Sequence, residues 1–558
     1  MPLDLQFSHD FPEGRISQGH SGYLDLILQP TPVNPVANSN HTSLTLAQAL
    51  EYSITNNEQD GTSDWNNLRL QPVLSQHGST RILMRPRIEG VRIGPYETGR
   101  PFGHWADVEM EGDKKPVAVL VVEPDHVHIG CVVSYNDTQC HLFFDPGYDH
   151  IYVRNCSSHP LSTKQLDSNN SYRVLPNEKA ILHVGVWTLD TDSKSLIEIQ
   201  VLERKAWITT QPLSSKRGAP IDEDSSKRLR LSNDIATAKK REVVIARDPR
   251  ADNALIELKK GEKIYVGVSK VYWLKRLDTI FDHQNSSVWQ AEHKKWDDGR
   301  KIVVKVIKPE AFRGDVIKTA EAWKRECEAH VAVTKNRHPA IVQILGFDAR
   351  FHSIYTEYIA ATSLADHRCP GLSYAGSRID AQRIMHDIAS ALYHVHSQNK
   401  VHNDIKPGNI LYSQERGAVL IDFGISFSQG HPKPAGGTPW YLPPEFMLNW
   451  KLRGPASDIW ALGVVMLWVL GHIPFPDGSC KEWRVSHIHP KTPGSPSHQD
   501  ALDSMSRWIK YIQQARLKLR QEDEMEFIVS QTLETEIGAR IDAESLCKQL
   551  SSLGSTAP

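Results

Sequence analysis

One short segment constrains this chain more than any other, the run His402-Asn403-Asp404-Ile405-Lys406-Pro407-Gly408-Asn409. It places an acid, a lysine two positions later and an asparagine five positions later on the same stretch of chain. The side chains of these three residues must converge from one loop. A second acid follows after an apolar run, in Asp422-Phe423-Gly424. A chance match to the whole arrangement is rare, so the two motifs together restrict how the surrounding chain can fold.

A candidate cation and its acidic partner precede this loop. Lys305 lies in the apolar run Lys301–Lys308, which predicts a β-strand. Further along, Thr319–Thr334 shows helical spacing of apolar residues and carries Glu326, with Glu328 as a close competitor. Taken alone, a lysine on a strand is more often part of a solvated face, and helices carry many surface acids. The interpretation of Lys305 and Glu326 as a functional pair therefore depends on the loop His402–Asn409 that follows them.

Helices follow strands along the C-terminal half of the chain. Asp380–Ser397 has helical spacing, and Ala456–Leu470 predicts an apolar helix too short to cross a bilayer. Strands first and helices later is the order of a two-lobed α+β domain. In this order the motifs resemble the eukaryotic serine/threonine protein kinase family, over roughly residues 275–551. The resemblance implies a two-lobed kinase fold that transfers the ATP γ-phosphate to a protein substrate.

The resemblance also implies the roles of the residues in these motifs. Asp404 would act as the catalytic base that accepts or orients the acceptor hydroxyl, and Lys406 would neutralise the transferring phosphoryl group. Lys305 would hold the ATP phosphates with Glu326 as its partner. Magnesium would be held by hard oxygen donors. The two metal-binding residues implied are Asn409 and Asp422.

Two further segments resemble parts of the kinase ATP site. Ile354–Ile359 is similar to the hinge that binds adenine through backbone groups, which assigns Glu357 and Ile359 to the ATP site. Counting back from Val288, Ser286 falls at the last glycine position of the loop that would close over the phosphates, which assigns Ser286 and Val288 to the ATP site. The expected small-molecule ligands are therefore ATP and Mg²⁺.

Residues after the catalytic loop resemble the remaining landmarks of the family. Glu445 would form a buried ion pair with Arg540, and Asp458 would accept backbone N–H groups of the catalytic loop. Lys406 and Thr438 resemble the serine/threonine branch, in which the threonine hydrogen-bonds into the acid–lysine pair. The resemblance therefore favours serine or threonine as the acceptor.

Two departures from the family pattern leave an alternative open. Phe281, His283 and Ser286 occupy the three glycine positions, where side chains hold the backbone further from the phosphates and weaken ATP binding. Asn403 replaces the arginine that normally pairs with a phosphorylated residue of the activation segment, so that form of switching is not expected. The alternative is a pseudokinase scaffold that binds partners without phosphoryl transfer. A small-molecule kinase is disfavoured by the peptide-platform motif that ends in Glu445.

The N-terminal part predicts a β-rich domain over residues 1–205. Between 115 and 204, short Val- and Ile-rich runs broken by turn residues predict strands of an all-β unit. Val153–His159 faintly resembles the forkhead-associated (FHA) β-sandwich, whose members bind phosphothreonine through an arginine and a serine in earlier loops. Neither residue can be placed here at the right spacing. The plainer interpretation is a generic β-sandwich with an ordinary Asn-containing turn. If the resemblance holds, the expected partner of this domain is a phosphopeptide or another protein.

A flexible basic linker is predicted over residues 206–270, followed by the kinase domain at 271–551. The linker carries basic clusters that resemble a bipartite nuclear import signal, at Lys216-Arg217, Lys227–Arg230 and Lys239–Arg241. An ordinary solvated linker is the equal alternative. No aromatic residues interleave the basic ones, so direct nucleic-acid binding is not expected. The net charge of −2, the seven scattered cysteines and the lack of a long apolar run indicate an intracellular protein with no membrane partner. The expected location is the nucleus, the cytoplasm or both.

Overall fold

The structure, a computed structural model, describes residues 80–95, 104–110, 113–121, 130–144, 149–202, 208–211, 253–266, 272–294, 299–312, 314–430, 436–477, 483–489 and 494–555. The first 79 residues of the predicted β-rich domain and all three basic clusters of the predicted linker lie outside these ranges. Among the described residues, no helix has both the length and the apolarity needed to span a bilayer.

Two β-sheets form the N-terminal part, which we call the β unit (residues 80–202). One sheet has seven strands in the order β3-β4-β1-β12-β11-β8-β9, and the other has five in the order β10-β7-β6-β5-β2. The strands are β1 (Thr80–Pro86), β2 (Arg92–Pro95), β3 (His104–Met110), β4 (Asp113–Val121), β5 (Gly130–Tyr135), β6 (Thr138–Phe144), β7 (Ile151–Asn155), β8 (Leu161–Gln165), β9 (Ser171–Val174), β10 (Lys179–Leu182), β11 (Gly185–Asp190) and β12 (Ser195–Val201).

The two sheets share one apolar core, because alternate residues of each strand point inward. In β7, Ile151 and Val153 are buried while Tyr152 and Arg154 are only half-buried. The inward residues of both sheets pack together, among them Trp187, which is fully buried. The prediction of β-strands in this part of the chain is confirmed within the described residues between 80 and 201.

The run that suggested the FHA resemblance ends in a turn organised by Asn155. The Asn155 amide donates to the carbonyls of His159 (2.8 Å) and Val174 (2.9 Å), and its oxygen accepts from the Ser157 N–H (2.8 Å). A buried amide with every contact satisfied stabilises the end of the strand. These contacts fit the Asn-containing turn that the sequence predicts, and they leave phosphothreonine binding a prediction.

The second part of the chain begins with a seven-stranded sheet and one long helix, the first lobe. The sheet order is β13-β14-β15-β16-β17-β19-β18, and α2 packs against it through Trp323, whose indole N–H donates to the Ser353 carbonyl (3.1 Å). The elements are β13 (Ile208–Gln211), α1 (Ala254–Glu257), β14 (Lys263–Val266), β15 (Tyr272–Asp282), β16 (Ser286–His293), β17 (Lys301–Ile307), α2 (Val316–Thr334), β18 (Ile344–Asp348) and β19 (Ser353–Glu357).

The structure differs from the predicted linker at both of its ends. β13 pairs with β14 and β14 pairs with β15, so strands from within residues 206–270 extend the sheet of the first lobe. Leu255, Leu258 and Ile264 are buried in the same core as Trp289. Burial of these apolar side chains is the physical reason that this stretch folds onto the lobe instead of remaining a linker. The first lobe therefore begins before residue 271.

Helices dominate the second lobe. α5 is buried along nearly its whole length, and the other helices pack around it together with the short strands that carry the catalytic loop. The elements are β20 (Thr362–Ser363), α3 (Arg378–Ser397), β21 (Lys400–Val401), β22 (Ile410–Ser413), β23 (Gly417–Leu420), β24 (Phe427–Ser428), α4 (Glu445–Leu448), α5 (Pro455–Val469), α6 (Val485–Ile488), α7 (Pro496–Arg516), α8 (Glu524–Thr532) and α9 (Ala543–Ser555). The predicted helices at 319–334, 380–397 and 456–470 are confirmed, each within a few residues at its ends.

Candidate active site

The cation predicted on the strand meets two acids from different elements. Lys305 Nζ on β17 lies 2.7 Å from Glu326 Oε1 on α2 and 2.7 Å from Asp422 Oδ1 after β23. Between the two acids that the sequence offered on α2, the structure brings Glu326 to the lysine. The three groups join the sheet of the first lobe, its helix and the second lobe at one point.

Burial and charge act against each other in this cluster. Burial alone would lower the pKa of Lys305, but the carboxylates of Asp422 and Glu326 outweigh it and raise that pKa above its usual range. Partial desolvation would raise the pKa of Asp422, yet the Lys305 ammonium holds it well below its usual range. Burial raises the pKa of Glu326, with Lys305 opposing that shift. Lys305 and Asp422 are therefore ionised at neutral pH.

Three polar side chains of the catalytic loop and Thr438, from a later segment, form one hydrogen-bonded set around Asp404. Lys406 Nζ lies 2.7 Å from Asp404 Oδ2, and the Asn409 amide donates to the same oxygen at 2.9 Å. The Thr438 hydroxyl accepts from Lys406 Nζ (2.9 Å) and donates to Asp404 Oδ1 (2.7 Å). The contact of Thr438 with the acid–lysine pair, expected from the resemblance, is confirmed. Every oxygen of the Asp404 carboxylate is thus oriented by at least one donor.

A buried acid on α5 fixes the backbone at the start of this loop. Asp458 accepts the N–H groups of His402 (2.9 Å) and Asn403 (2.7 Å), as the sequence predicted. His402 is fully buried, and its Nε2 lies 3.1 Å from the Ile421 carbonyl while its Nδ1 lies 3.3 Å from the Asp404 N–H. These contacts fit the neutral imidazole that donates from Nε2, and burial lowers the pKa of His402.

The residues expected to hold magnesium fit that ion. Asp422 adopts a left-handed backbone (φ 66°), and the Gly424 N–H donates to its Oδ1 at 3.0 Å. Its side chain is 42% exposed, so it faces the cleft, and it is ionised because Lys305 lowers its pKa. A carboxylate and the Asn409 amide provide the hard oxygen donors that Mg²⁺ prefers. Within the described ranges, no three His, Cys, Asp or Glu side chains gather as metal ligands, at this site or at any other.

The hairpin between β15 and β16 lies where a glycine-rich loop is expected. Val288 is the register partner of Lys305 across β16 and β17, and Ser286 is buried two residues before it. The Phe281 and His283 rings contact each other, with 4.1 Å between their centroids, and Phe281 is 47% exposed. Side chains thus occupy the positions that glycines would leave open.

Hydrogen bonds within the hairpin and with Lys308, which follows β17, hold the hairpin in place. Lys308 Nζ lies 2.7 Å from Asp282 Oδ1, and the Lys308 N–H donates to the Asn285 carbonyl at 3.0 Å. The hydrogen bond from Lys308 lowers the pKa of Asp282. The His283 N–H closes the tip by donating to the Ser286 carbonyl at 3.0 Å. The ion pair therefore ties the tip of the hairpin to the end of the Lys305 strand.

The predicted hinge leaves β19 and connects the two lobes. Glu357 exchanges contacts with Gln343, since its N–H donates to the Gln343 carbonyl (3.0 Å) and its Oε1 accepts the Gln343 N–H (2.9 Å). Ile359 is buried in an apolar cluster with Val342 and Val419. The Ile359 carbonyl accepts from the Ala361 N–H at 2.9 Å. The structure thus places Glu357 and Ile359 on the connection, beside an apolar surface.

A buried ion pair anchors the segment that follows the catalytic loop. Arg540 Nη1 and Nη2 each lie 3.0 Å from an oxygen of Glu445, and their side chains are 0% and 3% exposed. The predicted pairing of these two residues is confirmed. A bidentate contact of this kind fixes both position and orientation.

Two further buried side chains at this site were not predicted. His330 on α2 packs on Phe423, with 4.9 Å between ring centroids, and Phe423 packs in turn on His402 at 4.9 Å. Arg453, with 1% of its surface exposed, donates to the Gly436 carbonyl at 2.5 Å. No local pattern distinguishes either residue. Only the helical offset of His330 from Glu326, by one turn, could have pointed to the cleft.

Comparisons with known proteins agree with this geometry. Residues 283–550 match the family described as Protein kinase domain. The chain is 32% identical over 202 residues to calcium/calmodulin-dependent protein kinase type 1 of Caenorhabditis elegans, which covers 35% of this chain and 55% of that protein.

For two other relatives, the match covers a smaller share of the relative's own length. The probable serine/threonine-protein kinase MARK-A of Dictyostelium discoideum is 29% identical over 36% of this chain and 18% of its own length. The LEAF RUST 10 disease-resistance locus receptor-like protein kinase-like 1.2 of Arabidopsis thaliana is 28% identical over 42% of this chain and 37% of its own length. The chain spans about half or less of the length of these curated relatives. Residues 283–550 of this chain, just under half of it, therefore match the protein kinase domain.

Proposed function

We propose that this chain is an ATP- and Mg²⁺-dependent serine/threonine protein kinase. One observation carries the proposal. Asp404, Lys406 and Thr438 form a closed hydrogen-bonded set, and the neighbouring DFG motif, two residues after β23, supplies Asp422 to Lys305. Such an arrangement holds an acceptor group and a phosphate group in one cleft, and phosphoryl transfer depends chiefly on positioning and electrostatic stabilisation.

The chain's own residues can move the proton and balance the charge of the transfer. Asp404 accepts or orients the proton of the attacking hydroxyl, because its carboxylate is held by Lys406, Asn409 and Thr438. Lys406 lies beside it and stabilises the negative charge of the moving phosphoryl group. Thr438 keeps the acid and the lysine at a fixed separation. The bond formed joins the acceptor oxygen to the γ-phosphorus of ATP. The bond broken joins that phosphorus to the bridging oxygen, which leaves as part of ADP.

The nucleotide side of the cleft is assigned on the same basis. Lys305 binds the ATP phosphates, and Glu326 keeps its ammonium in place. Asp422 and Asn409 would hold magnesium, which when bound neutralises phosphate charge. Glu357 and Ile359 on the hinge would offer backbone groups to adenine, with Ser286 and Val288 on the opposite side. The contact of Thr438 with Lys406 supports serine or threonine as acceptor, as does the printed name of the Dictyostelium relative.

A transfer assay with radiolabelled ATP and a generic basic protein substrate tests the proposal. Wild-type protein is expected to transfer phosphate, and Lys305→Met and Asp404→Asn protein is expected to lose at least a hundredfold in kcat. Glu328→Gln is the matched control, because Glu328 shares α2 but not the Lys305 contact. Wild-type transfer no higher than that of Asp404→Asn would contradict the proposal and favour the scaffold alternative.

Nucleotide binding separates a catalytic domain from a scaffold by a second route. A ligand that binds only the folded state raises the thermal midpoint. We expect ATP with Mg²⁺ to raise the midpoint of wild-type protein, and to raise that of Asp422→Ala protein much less. No shift for the wild type, at millimolar nucleotide, would leave the scaffold function as the better account.

We further propose that the β unit is a docking module for a phosphopeptide or protein partner, and that the basic clusters direct nuclear import. The resemblance of Val153–His159 supports the first, and the spacing of the clusters supports the second. Binding of phosphothreonine peptides to the full chain, compared with their unphosphorylated forms, checks the docking proposal. Replacing Lys227-Arg228 by alanine in a fluorescent fusion checks the import proposal, which a wholly cytoplasmic wild-type fusion would contradict.

A further inference from the structure

The outer face of the five-stranded sheet of the β unit carries a row of apolar side chains. Phe143 of β6 is the register partner of Tyr152 of β7, and Tyr152 is the partner of Ile181 of β10. Their neighbours Leu142 and Leu182 point into the core of the β unit. By alternation the row points away from that core. Yet Phe143 is only 1% exposed, so another part of the chain covers it.

The covering element is the N-terminal part of α2. Phe143 forms one buried apolar cluster with Ile317 and Ala320 of that helix, and Tyr152 packs against the cluster. Neither Ile317 nor Ala320 is more than 4% exposed. This face of α2 is therefore buried against the β unit, while Trp323 faces the sheet of the first lobe.

An ion pair lies at the edge of this contact. Lys179 Nζ of β10 lies 3.0 and 3.1 Å from the two oxygens of Asp315, and these side chains are 35% and 20% exposed. Asp315 is the N-cap of α2 and accepts the Lys318 N–H at 3.3 Å. The Lys179 ammonium and the N-terminus of the helix thus share one carboxylate.

Helix α2, which contacts the β unit at its N-terminal end, also carries Glu326 of the candidate active site. Glu326 follows Ile317 by nine positions on the continuous helix Val316–Thr334, about 14 Å along the axis. An unbroken helix moves as a rod, so displacement at its first turns displaces Glu326 from Lys305. The contact of Glu326 with Lys305 has a separation of only 2.7 Å and tolerates little movement.

We infer that the outer face of the β unit, through Phe143 and Lys179, is a positioning surface for phosphoryl transfer that holds α2 where Glu326 meets Lys305. The kinetic part of this inference rests on the proposed kinase function. Phe143 and Lys179 are positioning residues, since they act through α2 and touch neither nucleotide nor acceptor. The β unit then has an effect on the kinase domain in addition to any docking role.

Kinetics of the full chain test the surface without disturbing the core. Lys179→Glu puts a second negative charge beside Asp315, and we expect kcat/KM for ATP to fall about two- to fivefold while KM for the protein substrate stays the same. Lys164→Glu makes the same charge change on the exposed face of the other sheet and is expected to have no effect. Equal behaviour of the two variants would overturn the inference.

A double-mutant cycle isolates the ion pair itself. Asp315→Asn keeps an oxygen that caps the helix but removes the charge. If Lys179 acts through Asp315, the effects of Lys179→Met and Asp315→Asn on kcat/KM are strongly non-additive. The double variant then resembles Asp315→Asn, which also loses the 3.3 Å ion pair of Asp315 with Lys318 Nζ. Simple multiplication of the two effects would show that Lys179 acts elsewhere.

Hydrogen exchange tests the contact even if the protein transfers no phosphate. In full-length Phe143→Ala protein the amides of α2 are expected to exchange at least tenfold faster, with Phe143→Leu restoring most of the protection. Unchanged α2 exchange in Phe143→Ala protein would overturn the contact whatever the activity. Faster exchange in a wild type without activity would instead leave the positioning contact standing and contradict only the proposed function.

Discussion

Asn403 and Arg453 each donate a hydrogen bond to a backbone carbonyl of the activation segment. The Asn403 side chain donates to the Ile425 carbonyl at 3.1 Å, just after the second acid motif. Arg453 donates to the Gly436 carbonyl near the other end of the segment, and burial lowers its pKa to about 10, so it stays charged. Both contacts end on backbone carbonyls. The described residues Ile425 and Gly436 of the segment are thus each held by a side chain through a backbone carbonyl.

The Thr438 hydroxyl is the residue-scale feature with the sharpest kinetic consequence. Thr438→Val keeps the shape of the side chain but removes its bonds to Asp404 and Lys406. We expect kcat to fall about 10- to 100-fold, because hydrogen bonds to charged groups are lost, while KM for ATP changes little. Steady-state kinetics at saturating peptide measure this.

Thr438→Ser is the control for that substitution, since it retains the hydroxyl. It should keep kcat within about threefold of wild type. If Thr438→Val and Thr438→Ser lost activity equally, the methyl group and not the hydroxyl would be what matters at this position.

At the scale of elements, the hairpin between β15 and β16 departs most from what a phosphate-binding loop needs. Replacing Phe281 and His283 with glycine should let the tip close on the nucleotide, and we expect the Kd for ATP to fall several-fold. Isothermal titration with ATP and Mg²⁺ measures the change. A rise in Kd would mean that these side chains themselves contact the nucleotide.

Helix α2 brings a titratable group into the buried stack beneath the cleft. His330 Nε2 lies 2.8 Å from the Val342 carbonyl. Burial outweighs the opposing effect of this hydrogen bond and lowers the pKa of His330 to about 4. The unfolded chain binds a proton near pH 6.5 and the folded chain does not. Folding stability is therefore lost as the pH falls from about 6.5 towards 4.

His330→Leu should remove that part of the acid sensitivity. Between pH 7 and pH 5 the variant is expected to lose about 2 kcal/mol less unfolding free energy than wild type. Urea unfolding at each pH gives the slope, which is unaffected by any constant loss from the missing hydrogen bond. His386→Leu, at an exposed position on α3, is the control, and a wild-type slope in His330→Leu protein would contradict the assignment.

The features that the sequence predicts correctly are those with a local pattern of residue types. The catalytic loop was predicted because its acid, lysine and asparagine lie within a few residues, and the long helices because apolar residues recur at helical spacing. β13 and β14 were missed, since four-residue strands flanking a charged stretch give no period to detect. The contact between Phe143 and Ile317 was missed for a different reason. It joins residues far apart in the chain, and each looks like an ordinary core residue of its own unit.

At the scale of the whole molecule, the Glu445–Arg540 pair links the end of the activation segment to the last helices. Arg540→Leu would leave the Glu445 carboxylate buried without its partner, at a cost of about 3–5 kcal/mol of unfolding free energy. The double variant Glu445→Leu/Arg540→Leu is expected to lose clearly less, because no charge is left buried. Chemical denaturation of both variants measures this, and equal losses would contradict the pairing argument.

The pairing of β13 with β14 has a consequence for the charged stretch between them. Gln211 and Lys263 are register partners, so the end of β13 and the start of β14 lie at neighbouring points of one sheet. Closure of a longer loop costs only slightly more entropy, about 0.6 kcal/mol for each doubling. A change in the number of residues between Gln211 and Lys263 therefore costs little folding free energy, as long as the four-residue ladder of β13 and β14 forms.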